Sequence, residues 1–204
     1  MIRLRWRAPW AVKLYLAVFL FVGCAETTLT PTFRATEGLS RPDRVLVFDF
    51  AVTAEEAGVE RRSGAAAQTE EDLRAGKALA RALSAALISE LRGRGIEAER
   101  AAGTAAPGDT TASLRGRFLR ADGSDSTSNT VGFTLRDGKV RTRVQLYQGT
   151  GLNLQLIGEG ETETPSGLKP GAAGEATVDA DARRTAQAVT GRIADYYRQQ
   201  GWIK

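Results

Sequence analysis

The sequence predicts an α/β fold in two layers, with a mixed sheet of about five strands and two amphipathic helices packed on it. Three observations carry this prediction. An apolar segment is followed by an amphipathic helix and a short second strand, which is the order of a right-handed crossover. Several segments between residues 113 and 164 alternate apolar and polar residues, as half-buried strands do. A second amphipathic helical pattern follows near the C-terminus.

The strand–helix–strand unit begins at residues 44–52 (RVLVFDFAV), which are apolar on both faces and so favour a central strand. Thr69 is a suitable N-cap, and the acids after it suit the positive end of a helix. Gly76 lies inside the helical pattern and costs about 1 kcal/mol relative to alanine. A strand at 96–101 follows the helix. The apolar row of the helix comprises Ala75, Leu79, Leu83, Leu87 and Leu91.

The alternating segments predict antiparallel strands. Residues 113–121 predict one strand, and residues 122–129 are turn material. Asp137-Gly138 is a favoured type I′ pair and predicts a hairpin around it. The facing pairs of that hairpin are Leu135–Val140, Phe133–Thr142 and Val131–Val144. Another alternating strand begins at residue 152 and fades over 159–164.

The last helix is predicted to begin at Asp179 or Asp181, after a loop at 165–174 (PSGLKPGAAG). Trp202 and Ile203 are expected to tuck beneath it. Its apolar stripe comprises Ala182, Ala186, Val189, Ile193, Tyr196 and Tyr197.

The N-terminal segment predicts export. A basic start precedes an apolar run that is too short to cross a bilayer, which is typical of a signal peptide. Its end, Phe21-Val22-Gly23-Cys24, resembles the lipobox of bacterial lipoproteins. The resemblance implies cleavage between Gly23 and Cys24 and acylation of Cys24, which would attach the protein to a membrane. Ala25 after the cysteine points to the outer membrane, with the protein facing the periplasm.

The predicted organisation is therefore a signal peptide at 1–23, a flexible tether at 24–43 and a single α/β domain at 44–204. An alternative for the tether is an arm that packs on the domain through Leu29 and Phe33.

The residue inventory excludes several kinds of chemistry. The chain has no histidine and one cysteine, so triads with histidine, Cys/His zinc sites and disulfides within the chain are excluded. Four of the 28 basic residues lie in 1–23, which contain no acid, so the rest of the chain balances 24 bases against 24 acids. A neutral mature chain removes the electrostatic argument for a nucleic-acid partner. No cofactor and no metal site is predicted.

The candidate ligand-binding residues are one acid and four arginines. Asp49 lies near the C-terminal end of an apolar strand, where α/β sheets often bind ligands, although pairing with an arginine or capping of the next loop is the favoured interpretation. Arg115, Arg117, Arg141 and Arg143 alternate on two strands and suit phosphate or carboxylate. Glu159, Glu161 and Glu163 alternate on a third strand, and a solvated face of Arg–Glu pairs is the favoured interpretation.

The order of VLVFDFAV, ELRGRGIEAERA, LRGRFLRAD, VRTRVQLY and PSGLKPG resembles the DUF4410 family of bacterial proteins, over residues 41–174. The resemblance implies no activity. The glycine-rich segment usual in that family is reduced here to GFTLRDG (132–138).

These observations lead to three functional expectations. The first is a non-catalytic, periplasm-facing binding or scaffold module for an envelope protein partner. The alternative is recognition of an anionic envelope component, a lipid phosphate or a glycan, through the arginine face. The third is a carboxylate-dependent hydrolase, since glycoside hydrolysis needs two suitably spaced acids.

Overall fold

The computed structural model describes residues 32–33, 39–60, 66–101, 108, 110–122, 125–149 and 153–204. The predicted signal peptide and Cys24 lie outside these residues. In chain order the elements are β1 (Thr32–Phe33), β2 (Arg44–Val47), α1 (Glu70–Gly93), β3 (Ala98–Arg100), β4 (Thr111–Asp122), β5 (Asp125–Val131), β6 (Lys139–Gln148), β7 (Gln155–Pro165) and α2 (Glu175–Gln199).

The strands form one mixed sheet, and the predicted two-layer α/β architecture is confirmed. The strand order is β1-β7-β6-β4-β2-β3, and β5 pairs with β4. β2 is parallel to both β3 and β4, whereas the other pairs are antiparallel. Both helices contribute to one hydrophobic core with the sheet, on a single face of it. Within the described part of the chain, neither helix is long and apolar enough to cross a membrane.

Helix α1 begins where the sequence predicts, directly after Thr69, and both of its ends are capped. Thr69 Oγ1 accepts a hydrogen bond from the N–H of Asp72 at 3.1 Å, and Asp72 Oδ2 accepts one from the N–H of Thr69 at 3.2 Å. These two bonds form a capping box. At the other end, the N–H of Ile96 donates to Leu91 O, and Gly95 has a φ of 75°. The pattern is a Schellman motif, which requires a left-handed residue.

The predicted hairpin around Asp137-Gly138 is wrong. Val131 pairs with Leu119 in β5–β4, and residues 132–138 lie outside any strand. Phe133 and Leu135 are instead buried, and their backbone groups bond to the start of α1. Gln68 Nε2 donates to Phe133 O at 3.0 Å, and the N–H of Leu135 donates to Asp72 Oδ1 at 2.9 Å. β6 is consequently free to pair with β4 and β7.

Two strands lie where the sequence analysis did not place them. Residues 125–131 form β5, although most of this segment has the composition of a turn. Thr32–Phe33 forms β1 and pairs with Glu159 and Gly158 of β7, so part of segment 24–43 joins the sheet. Residues 24–31 and 34–38 lie outside the described residues, and the tether stays a prediction.

Helix α2 begins earlier than predicted. Its first residue is Glu175, and Gly174 is the N-cap. Asp181 therefore lies inside the helix and not at its start. Its carboxylate is buried and faces the 165–174 loop. The predicted apolar stripe is confirmed, since all six of its residues are buried. Trp202 packs edge-on against Tyr196 and Tyr197, with centroid distances of 5.7 and 5.1 Å.

Candidate functional site

The sheet has one face against the helices and one face that no described helix covers. In β6 buried and half-buried residues alternate along the whole strand, so alternate side chains point away from the core. β7 alternates in the same way over residues 161–165. In β2 and in residues 111–120 of β4 most residues are buried, and the exposed or half-buried ones are Arg44, Arg115, Gly116 and Arg117. We call the residues on the second side the outer face, namely Arg44, Phe48, Glu99, Arg115, Arg117, Lys139, Arg141, Arg143, Gln145, Tyr147, Glu159, Glu161 and Glu163. All four predicted arginines therefore share one surface.

Glutamates of β7 face the β6 arginines directly. Arg141 is the registered partner of Glu163, and Arg143 is that of Glu161. The Nε of Arg143 donates to Glu161 Oε1 at 2.8 Å and lies 3.7 Å from Glu159 Oε1. The Nε of Arg141 lies 2.7 Å from Glu163 Oε2, an ion pair without hydrogen-bond alignment. The favoured interpretation, a face of Arg–Glu pairs, therefore describes the β6 arginines.

Lys139 also contacts Glu163, and the positive charges beside this carboxyl favour its ionised form. The hydrogen bond from Lys139 is the largest influence and lowers the pKa of the Glu163 carboxyl. Partial burial opposes this effect, while the charge of Arg141 adds to it. The carboxylate is thus fixed between two cations, and the cross-strand pairs contribute about 0.2–1 kcal/mol each.

The β4 arginines have a different environment. The guanidinium of Arg115 lies over the ring of Phe48, 4.9 Å from its centroid, and 5.8 Å from that of Tyr147. Arg117 lies directly across from Arg143, and in the described part of the chain its buried Nε has no hydrogen-bond acceptor. Within the described residues neither Arg115 nor Arg117 forms an ion pair with a carboxylate. The outer face therefore carries two unbalanced cations at its centre.

Asp49 follows β2 and is exposed. Its two carboxylate oxygens lie 2.7 and 2.6 Å from Nη2 of Arg100, and its side chain is 48% exposed. Pairing with an arginine, the favoured interpretation from sequence, is what the structure has at this position.

Asp49 also borders a cleft of about 340 Å³ between the end of β2 and α1. Glu56 is the second acid in its lining, and its Oε2 accepts a hydrogen bond from the N–H of Val52 at 2.8 Å. Lys77 lies 4.0 Å from Glu56, and Arg81 lies one helical turn further along. Both acids of the cleft are therefore engaged with cations or backbone donors. The lining has both signs of charge.

Two buried acids were not among the candidate residues, and each anchors a loop. Burial raises the pKa of Asp72, but hydrogen bonds from Leu135 and Thr69 outweigh it and hold the pKa below its usual value. The TEED sequence at 69–72 is the capping-box pattern and was a readable signal for this residue. Asp181 accepts hydrogen bonds from Ser166 Oγ at 2.7 Å and from the N–H of Gly167 at 3.1 Å. No local sequence signal marks Asp181, because its partners lie in the preceding loop.

The described residues contain no group of three or more histidine, cysteine, aspartate or glutamate side chains placed to hold a metal ion.

Comparison with known proteins identifies a family without a described activity. No curated protein matches the chain. Among solved structures, a PelC dodecamer from Paraburkholderia phytofirmans is 13% identical, with a TM-score of 0.36 and coverage of 78% of this chain and 96% of that chain. A point variant of that dodecamer is 15% identical, with a TM-score of 0.37 and coverage of 78% and 95%. The family described as "Domain of unknown function (DUF4410)" matches residues 45–192. The chain belongs to the DUF4410 family.

Proposed function

We propose that this protein is a non-catalytic binding module, attached to the outer membrane through Cys24, whose outer face receives a partner protein in the periplasm. The observation that carries the proposal is the outer face itself. It lies on the side of the sheet opposite both helices, and its charges are grouped by strand, with cations on β4 and β6 and glutamates on β7.

Charges of both signs favour a protein partner over an anionic lipid or glycan surface. Glu159, Glu161 and Glu163 form one flank of the outer face, and Glu99 pairs with Arg44 at 2.9 Å on the other. A uniformly anionic surface would meet these carboxylates as like charges. A protein can place opposite charges against each stripe, which gives specificity and orientation.

Site-specific photo-crosslinking in living cells tests the proposal. A photoreactive phenylalanine analogue in place of Gln145 samples the outer face, whereas the same analogue in place of the exposed Arg183 samples α2. We expect an adduct with a single protein from position 145 and none from position 183. Adducts from position 183 alone, or from neither position, would contradict the proposed docking face.

A further inference from the structure

Arg115 and Arg117 lie at the centre of the outer face, on the middle strand of the sheet. β4 is flanked by β6 and β2, and the two arginines are two residues apart on the same side. The other cations of this face have a carboxylate partner, namely Arg44, Lys139, Arg141 and Arg143. An unbalanced pair at this place is a net positive centre between two balanced flanks.

The arginine pair is unfavourable for the isolated protein. Arg117 and Arg143 are registered partners across β4 and β6, and like charges directly opposite each other destabilise a sheet. Arg143 is compensated by Glu161, whereas the buried Nε of Arg117 has no acceptor among the described residues. A carboxylate brought in from outside would supply that acceptor and balance the charge.

The guanidinium of Arg115 is positioned by two aromatic rings, and it can bind such a carboxylate. The rings of Phe48 and Tyr147 both lie within 6 Å of its guanidinium carbon, close enough for cation–π attraction. A stacked guanidinium keeps its donors in a fixed plane, which suits two-point recognition of a carboxylate. Arg115 is exposed, so its donors are accessible from the solvent side of the sheet.

We infer that Arg115 and Arg117 bind the carboxylates of an extended acidic segment of the partner protein, an inference that rests on the proposed function. Alternate residues on a strand are about 6.6–6.8 Å apart. An extended segment with acids at every second residue therefore has the same spacing as the two arginines. A second copy of this chain fits less well, because its outer face carries the same two unbalanced cations.

Fluorescence anisotropy with the full chain in neutral detergent tests this inference. The probe is a short dye-labelled peptide that alternates Glu and Thr, and the control peptide alternates Gln and Thr. We expect the acidic peptide alone to bind, more weakly as salt rises to physiological strength. Arg115→Gln and Arg117→Gln should each weaken binding by about tenfold, the loss expected for one charged hydrogen bond. Arg183→Gln, the same change on α2, should leave binding unchanged.

Arg115→Lys keeps the charge and should restore only part of the affinity, because lysine lacks the planar fork. The inference is overturned if the acidic peptide does not bind, or if it binds the two glutamine variants as well as the wild type. Binding to phosphatidylglycerol vesicles that needs Arg115, without peptide binding, would assign the pair to lipid headgroups instead. A dimer that dissociates in Arg115→Gln would assign it to a second copy. Where the peptide assay overturns this inference, a crosslink from position 145 that persists in the Arg115→Gln variant leaves the proposed function standing.

Discussion

The aromatic ring of Phe50 lies directly on the backbone of Gly116. A Cβ built on Gly116 would come within 2.2 Å of Cε1 of that ring, which is closer than non-bonded atoms in proteins approach each other. The ring also packs 5.9 Å from Phe118 between centroids, and Phe118 packs 5.5 Å from Phe133. A glycine in β4 thus makes room for the aromatic cluster that joins the end of β2 to the core.

We expect Gly116→Ala to destabilise the domain by about 1–3 kcal/mol, the usual effect of inserting a methyl group into a packed core. The matched control is Gly191→Ala in α2, where an added Cβ meets nothing within 4 Å. That change should stabilise the helix by up to about 1 kcal/mol. Urea unfolding of both variants measures the contrast, and a neutral Gly116→Ala would show that Phe50 relocates freely.

The fully buried row of α1 predicts a large loss on truncation. Leu87 has no exposed surface, so Leu87→Ala should lower the free energy of unfolding by about 2–5 kcal/mol. The exposed Ser89 is the control, since Ser89→Ala should change stability by less than about 0.5 kcal/mol. Arg92 is less suitable as a control, because its Nε donates to Ala98 O at 2.8 Å. Equal, small effects at residues 87 and 89 would contradict the assigned buried face.

The sequence predicts those parts of the fold that local periodicity determines. The N-cap of α1 and the apolar rows of both helices follow from residues close together in the chain. Local periodicity fails for residues 131–146, where it predicts a hairpin that does not form. Its turn chemistry is favourable, and Gly138 does have a φ of 60°, but tertiary hydrogen bonds from Gln68 and Asp72 draw residues 133–135 into the core. Long-range partners overrode a local preference.

The candidate site was predictable only in its composition. The sequence identifies four arginines and three glutamates at strand spacing, and the Arg–Glu pairing of β6 with β7 follows from it. It does not distinguish Arg115 and Arg117 from Arg141 and Arg143. That distinction depends on strand order, which places the glutamates beside β6 and gives Arg115 and Arg117 the registered partners Gln145 and Arg143. Gly76 is another case. It costs helix propensity, but because it has no Cβ it allows α1 to approach Val52 closely.

Acid should destabilise the protein through Asp72. Its pKa is lower in the folded protein than in the unfolded chain, so ionisation of this carboxyl contributes stability above about pH 4. That contribution is lost as pH falls through the folded pKa. At pH 7 we expect Asp72→Asn to cost about 1.5–3 kcal/mol, the range for hydrogen bonds to a charged group.

The pH dependence separates Asp72 from a merely structural side chain. The difference in unfolding free energy between wild type and Asp72→Asn should shrink between pH 7 and pH 3, in urea titrations at both values. Glu163 also has a lowered pKa and contributes to acid loss in both proteins, so only the difference reports on Asp72. A difference that stays constant over this range would contradict the assigned ionisation.

The hydroxyl of Tyr197 is a buried polar group without a hydrogen-bond partner among the described residues. Burial raises the pKa of this hydroxyl far above its usual value, so it stays protonated at ordinary pH. Removing an unsatisfied buried group relieves its desolvation cost, and Tyr197→Phe should stabilise the domain by about 1 kcal/mol. Tyr197→Ala should instead destabilise by about 3–5 kcal/mol, because it also removes the ring contact with Trp202. A destabilising Tyr197→Phe in thermal unfolding would reveal a hydroxyl partner.

The lone cysteine predicts how the protein is attached to the membrane. Cys24→Ser should abolish incorporation of radioactive palmitate and release the protein from the membrane fraction, since the lipobox resemblance makes this thiol the proposed acylation site. Stable attachment needs more than one acyl chain, each contributing about 0.8 kcal/mol per buried CH₂. Ala25→Ser is the matched control and should keep full labelling. Ala25→Asp should keep the label but shift the protein from the outer to the inner membrane, according to the sorting preference of Gram-negative lipoproteins. Undiminished labelling of Cys24→Ser would refute lipid attachment at this residue, and an unchanged distribution of Ala25→Asp would refute the sorting signal.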